Sequence, residues 1–211
     1  GLSSLASNTT GYYNSAFGVY SLLYNTTGYE NSGFGISSLY SNTTGYQNCA
    51  FGIASLRSNT TAIQNTAVGY TSLQGNSTGN FNTALGFQSL YLNSTGFQDT
   101  AVGHHSLQNN NGNYNTALGY NAGSTITTGF NLTCIGIDAA PSTINAQNQV
   151  TLGNMFITSL RCAVTTITSL SDARDKKNIS ELSLGLDFIT KLHPRQFNWD
   201  KREWYDDNSS D

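Results

Sequence analysis

The chain has 211 residues, enough for one large domain or two small ones, with 37% apolar residues, 21 Gly and a formal net charge of −3. Ordinary hydrophobicity with so little net charge excludes a self-repelling disordered chain. Charged residues at 10% leave no basic stripe to follow a phosphate backbone, which excludes nucleic acid as the main partner, and no apolar run approaches the ~18 residues of a membrane span. The polar surface is therefore made of Asn, Thr, Ser, Gln and Tyr. The few charges are also unevenly placed. Only Glu30, Arg57, Asp99, Asp138 and Arg161 lie in the first 170 positions, and the other charged residues all fall between 171 and 211. A shift that sharp marks a domain boundary. The start at Gly1, with no signal peptide, reads as a processed or partial end.

From residue 1 to 136 the chain repeats. Gly18, Gly35, Gly52, Gly69, Gly86 and Gly103 are 17 apart, Gly119 follows after 16, and Gly136 after 17. The lost residue falls in the Asn109-Asn110-Asn111 turn. Four positions before each Gly stands Asn14, Asn31, Asn48, Asn65, Asn82, Asp99 or Asn115. Four after it stands Leu22, Leu39, Leu56, Leu73, Leu90 or Leu107. A turn cluster such as Asn25-Thr26-Thr27-Gly28 or Asn42-Thr43-Thr44-Gly45 then closes the unit. Seventeen residues are too few for a helix pair, and short apolar segments bounded by Asn-Thr-Thr-Gly read as strands and turns. Each unit is therefore one coil of a parallel β-solenoid, with two short strands expected per coil. Stacked coils place like side chains in register roughly 4.8 Å apart, so eight coils span on the order of 40 Å.

Register accounts for each column. Phe17, Phe34, Phe51, Val68, Leu85, Val102, Leu118 and Ile135 form an apolar ladder, as do the Leu residues. Ala16, Gly33, Ala50, Ala67, Ala84, Ala101 and Ala117 mark a place where only a small group fits. The Asn residues can pair their amides with the coils above and below, and the glycines supply positive φ or close approach. Tyr12, Tyr29, Tyr46, Phe81 and Tyr114 flank a thin core and are expected in part to pack between chains, because one coil cannot bury its own apolar face.

Several features within the repeat have a plain explanation. The N-x-S/T tripeptides at Asn8, Asn25, Asn42, Asn59, Asn76, Asn93 and Asn131 recur because the turn recurs, and the stacked Thr pairs, which could suggest an ice-binding face, follow from the same turn. His104 and His105, read as adjacent strand residues, should point to opposite faces and so fail to share a metal. Cys49, Cys134 and Cys162 are an odd number with no close pair. They form no metal cluster or disulfide framework and are read as small packed side chains. No cofactor or metal site is expected.

The unit, approximately N-(S/T)-A-(F/L/V)-G-x-x-S-L-x-x-N-T-T-G-x-x, resembles the head repeat of trimeric autotransporter adhesins and the N-T-A-L-G repeats of tail and fibre proteins of phages and large viruses. That resemblance implies a trimeric parallel solenoid.

Residues 137–170 are expected to leave the period and form an intertwined β stem. Ala140-Pro141-Ser142 is a turn. Val150, Leu152, Ile157, Leu160, Cys162, Val164, Ile167 and Leu170 then alternate with polar residues as in a strand. Three chains wound round one axis would bury them. The stretch Thr151–Asn154 through Ile157–Cys162 resembles the stalk before a terminal chaperone in viral fibres.

At Ser171-Asp172-Ala173-Arg174-Asp175-Lys176-Lys177-Asn178-Ile179, followed by Leu186-x-x-Ile189 and Leu192-x-Pro194-x-x-Phe197-x-Trp199, the sequence looks like the start of the endosialidase-type intramolecular chaperone auto-processing domain. The resemblance implies that residues 171–211 are the incomplete N-terminal part of a chaperone that drives trimerisation and then cuts itself off. It makes Ser171 the nucleophile, Lys176 its base and Leu170-Ser171 the scissile bond, with Asp172 and Arg174 holding the local geometry. A Ser hydroxyl needs a base to take its proton, and a Lys can serve where burial or like charge lowers its pKa. Asp175 stands where the family usually has an apolar residue, which puts the local packing in question. Beyond it, residues 183–191 read as a short helix ended by Pro194, and 197–199 as a strand.

The sequence thus points to an all-β, trimeric fibre protein of a phage or large virus, at the virion surface or outside the cell. Its partners are its own copies and a host glycan or receptor. Its only enzymatic step is a single-turnover Ser/Lys self-cleavage. The alternatives are a cellular trimeric adhesin, which would need an anchor, and a polysaccharide depolymerase, which would need two carboxylates in one site. Glu30, Asp99 and Asp138 are single and far apart.

Overall fold

A computed structural model describes residues 1–161. Among these, nine strands form one parallel sheet in chain order: β1 (Ser15–Phe17), β2 (Ser32–Phe34), β3 (Cys49–Phe51), β4 (Thr66–Val68), β5 (Thr83–Leu85), β6 (Thr100–Val102), β7 (Thr116–Leu118), β8 (Phe130–Ile135) and β9 (Gln147–Leu152). Neighbours pair in strict register, Ala50 on Ala67, Ala67 on Ala84, Ala84 on Ala101. The 16-residue coil keeps the same register, Ala101 on Ala117. The described region is therefore a parallel β-solenoid, one coil per repeat.

Each coil carries one strand rather than the two expected. The strands β1 to β7 are only three residues long because Asn, or Asp99 before β6, precedes them and a glycine with φ between 132° and 140° follows. At Gly69 an added Cβ would meet the carbonyl of Gly86 in the next coil, so the turn needs both the positive φ and the missing side chain. The remaining sides are not extended. They contain non-glycine residues in the left-handed region at three recurring places, as at Glu30 (φ 55°), Ser37 (φ 56°) and Leu39 (φ 50°). Such residues cost roughly 1–2 kcal/mol each. In return they turn backbone amides along the stack. Glu30 N–H donates to Tyr12 and Ser37 N–H to Val19 in the preceding coil, while Leu39 N–H donates to Ser55 in the following one. The coil-to-coil hydrogen bonds thus continue round the whole turn without a second strand.

The core of a single chain is a stack of columns. Leu22, Leu39, Leu56, Leu73, Leu90 and Leu107 are fully buried, as are Ala50, Ala67, Ala84, Ala101 and Ala117. Two asparagine ladders are buried beside them. In the turn ladder, Asn42 Nδ2 donates to Asn25 Oδ1 at 2.7 Å and Asn59 Nδ2 to Asn42 Oδ1 at 2.7 Å, while each also reaches the carbonyl three residues on. In the ladder before the strands, the backbone N–H of Asn48 donates to Asn31 Oδ1 at 3.0 Å and that of Asn65 to Asn48 Oδ1 at 3.1 Å. Ser55 and Ser72 hydroxyls close onto Gly52 and Gly69 carbonyls. Buried polar groups are tolerated because nearly all of them meet a partner, in their own coil or in the adjacent one.

The stack also runs further than the sequence repeat. After Gly136 the side-chain pattern fades, yet β9 lies 17 residues beyond β8, with Ile135 on Leu152. The backbone keeps its register although the Asn-Thr-Thr-Gly turn is replaced by the loop 140–146. The later part of the expected stem, and the expected helix and strand of 183–199, lie outside the described residues.

Leu73→Ala removes a fully enclosed side chain from the middle of the stack. It should lower stability by about 2–5 kcal/mol in denaturant unfolding. A loss under about 0.5 kcal/mol, the size of a surface effect, would contradict the assignment of this column to the core.

Candidate functional site

Side chains alternate across a strand, so with Ala inward the first and third residues of each strand face out. The apolar ladder that begins at Phe17 is therefore not the core. Phe17 is 75% exposed, and Phe51, Leu85, Leu118 and Ile135 are 41%, 47%, 49% and 40% exposed. Just past the glycine, Ile36, Ile53, Tyr70, Phe87, Tyr120 and Ile137 form a second exposed column. The two run side by side along the stack. A continuous apolar stripe of this kind on a single chain marks a surface built to be covered.

Aromatic rings stack along the same axis. Tyr29 lies between Tyr12 and Tyr46 with centroid separations of 4.9 and 4.6 Å, and Phe34 lies on Phe51 at 4.5 Å. A ring covered on both faces offers only its edge to a partner. The first threonine of each turn pair is likewise occupied: the Thr26 and Thr43 hydroxyls donate to the Thr43 and Thr60 carbonyls. Of the glycosylation tripeptides, Asn25, Asn42, Asn59, Asn76 and Asn93 are fully buried with their amide nitrogens in the ladder. A glycan on these five is incompatible with the folded coil. Cys134 is buried in the alanine column and Cys49 half-buried in the outward Ser/Thr column. Both are free thiols, pushed above the ordinary thiol range by burial. Cys162 lies outside the described residues.

The carboxylates do not meet. Glu30 accepts from Gln47 Nε2 at 2.8 Å and Asp138 from Asn121 Nδ2 at 3.1 Å, both on the surface, whereas Asp99 is inside the coil. Among the described residues, no two carboxylates share a site of the kind glycoside hydrolysis needs. Among the described residues, no group of three or more His, Cys, Asp or Glu side chains is placed to share a metal ion, and no helix is long and apolar enough to cross a membrane. A hollow of about 460 Å³ lies at the last coil, lined mainly by Leu152, Gly153, Met155, Phe156 and Ala140, with Asp138 its one charged member.

The junction residues Leu170, Ser171, Asp172, Arg174 and Lys176 lie outside the described residues. Residues 171–210, which begin at Ser171, match the family described as chaperone of endosialidase. No curated protein and no solved structure matches the chain. The match begins one residue before Asp172, where the charge-rich tail opens, and it covers that tail rather than the solenoid.

The two histidines depart from the sequence expectation. His104 and His105 follow Gly103 in the turn, not in a strand, and His105 has φ 58°. Their rings are not on opposite faces but lie 4.0 Å apart. His104 stacks between Phe87 and Tyr120 in the second outward column, at 4.8 and 5.3 Å. The His105 Nε2 is 2.9 Å from Gln88 Oε1. Burial, and then the charge of His104, hold His105 below the usual histidine range. The His105 ring should therefore titrate at lower pH than a free histidine when followed by NMR, and a midpoint at or above the free value would contradict this packing.

Proposed function

We propose that this chain is a segment of a homotrimeric fibre of a phage or large virus, assembled by a C-terminal intramolecular chaperone that then cuts itself away between Leu170 and Ser171. The observation that carries this reading is the coincidence of two features in one chain. A β-solenoid has an uncovered apolar stripe along its coils, and directly C-terminal to it comes a segment matching an endosialidase chaperone. The stripe supplies a surface for other copies of the same chain. The chaperone supplies what the stripe lacks, because a repeat of nearly identical coils has little to select one axial register between chains over another one coil away.

In this reading Lys176 takes the Ser171 hydroxyl proton, and Oγ attacks the Leu170 carbonyl carbon. The Leu170–Ser171 C–N bond breaks, the proton goes to the departing amine, and an ester links Leu170 to the Ser171 side chain. Water then hydrolyses the ester to a Leu170 carboxylate. Nucleophile and carbonyl belong to adjacent residues, so positioning supplies much of the rate. Asp172 and Arg174 orient the turn. The fibre stands at the virion surface and contacts a host glycan or receptor. The stacked ladders would meet a sugar with ring edges, Tyr hydroxyls and Gln amides rather than with open ring faces.

The test is denaturing electrophoresis of the protein beside its Ser171→Ala and Lys176→Ala variants. The parent should release a fragment ending at Leu170, and both variants should stay full length. An identical uncleaved band in all three would remove the cleavage assignment, and cleavage at Leu170-Ser171 in either variant would remove that residue's role.

A further inference from the structure

One carboxyl is built into the interior. Asp99 stands where Asn14, Asn31, Asn48, Asn65, Asn82 and Asn115 stand in the other coils, and it is fully buried. The asparagines of this column do two jobs. Their Oδ1 accepts a backbone N–H from the next coil, and their Nδ2 donates to a turn carbonyl of the next coil: Asn82 to Gly96 at 2.8 Å, Asn115 to Gly129 at 2.9 Å. Asp99 keeps the first job, its Oδ1 accepting from Asn115 N–H at 2.8 Å. It has no amide with which to do the second.

The substitution spreads into the other ladder. Asn110 Nδ2 would complete the turn ladder by donating to Asn93 Oδ1, as Asn93 donates to Asn76 at 3.3 Å. Instead it donates to Asp99 Oδ2 at 2.9 Å and to the Gly112 carbonyl at 3.2 Å. Asn93 Oδ1 is left buried with no donor. In the regular ladder the donor to this atom is the turn Asn of the next coil, as Asn93 Nδ2 is to Asn76 Oδ1, and the contacts over the turn glycines show which other side-chain atom borders it. A Cβ placed on Gly79 would sit between Asn76 Oδ1 and Asn82 Nδ2, an acceptor beside an N–H. A Cβ placed on Gly96 would sit between Asn93 Oδ1 and Asp99 Oδ2, two oxygens. An unpartnered buried acceptor beside a buried carboxylate costs on both counts. A hydrogen on Asp99 Oδ2 would remove the buried charge and put a donor over the same turn glycine that Asn93 Oδ1 borders.

We propose that Asp99 is a proton-binding site inside the solenoid: the carboxyl is held as a neutral acid whose O–H replaces the missing amide donor and satisfies Asn93 Oδ1, and its ionisation loosens the stack at this coil. The site adjoins the one-residue shortening of the repeat in the Asn109–Asn111 turn, so two departures from regularity lie side by side. The groups facing Asp99 are Asn82 of the preceding coil, Asn93 and Gly96 of its own, and Asn110 and Asn115 of the next. None titrates and none is charged, so nothing nearby stabilises the anion by ion pairing. Consistently, burial raises the carboxyl to about 7, against the pull of the hydrogen bonds from Asn115 and Asn110.

The sign follows from linkage. Between the ordinary carboxyl value of 3.8 and about 7, the folded chain holds a proton that the unfolded chain has released. Stability therefore falls as pH rises through that window and levels off above it. At tenfold per pH unit, the unfolding constant should rise by about ten- to a thousandfold across it.

The experiment compares denaturant unfolding of the full chain and of Asp99→Asn at pH 5 and pH 8.5. Other titrating groups, His104 and His105 included, are common to both proteins. The parent should lose markedly more stability between the two pH values, and Asp99→Asn, which restores the column's amide, should be the more stable of the two at pH 8.5. The Asp99 carboxyl carbon, followed by NMR in the parent alone, should titrate well above 3.8. Equal pH dependence in both proteins, or a carboxylate already ionised at pH 5, would overturn the proposal. So would stability at pH 8.5 that depends on which alkali cation is present, which would put a metal ion where the proton is proposed.

Discussion

The structure depends on hydrogen bonds that run along the stack rather than within a coil. Asparagine amides and backbone N–H groups in left-handed residues find partners one coil away. No coil is complete alone, which is the physical meaning of a nearest-neighbour solenoid. The same constraint accounts for the composition. A residue that repeats in a column meets its own copy at about 4.8 Å. For Asn or Phe that is favourable, as a shared amide bond or a stacked ring. For Lys or Glu it would set like charges side by side, which is destabilising. Charge is therefore nearly absent from the first 170 positions, and Glu30, Arg57, Asp99 and Asp138 each occur once in their columns.

The same logic makes substitutions within a column informative. Asn to Asp changes one atom, yet it removes a donor from one ladder and draws the amide of Asn110 away from the other, leaving Asn93 Oδ1 bare. A much larger change on the outside, such as Phe51 giving way to Val68, alters only the outline of the stripe. Interior columns behave as coupled networks and exterior columns as surfaces.

Much of this was legible from residues. The 17-residue period, the small-residue column and the asparagine pairing all follow from register, and the structure shows each. Four things were hidden, for separate reasons. The single strand per coil depends on Leu39, Ser37 and Glu30 adopting φ near +50°, which side-chain type does not announce. The outward direction of Phe17, Phe51 and Leu85 was open because two apolar ladders competed for one core, and Leu with its serine neighbour took it. The ninth coil keeps its backbone register while its turn sequence changes, so a reading of recurring letters ends at Gly136 too early. His104 and His105 were misplaced by treating turn residues as strand. The buried role of Asp99 had a signal: one acid in a column of amides, next to the single shortened coil.

A stripe of exposed Phe, Leu, Ile and Tyr along a folded single chain calls for a cover, and the account assigns that cover to further copies of the chain. The direct measurement is the native mass of the folded parent beside a variant carrying Phe51→Asp and Leu85→Asp, two outward residues whose loss leaves the Leu and Asn columns intact. The account predicts three chains for the parent and a folded, β-rich single chain for the variant. A parent that runs as a single folded chain, or a variant that keeps the three-chain mass, would contradict it.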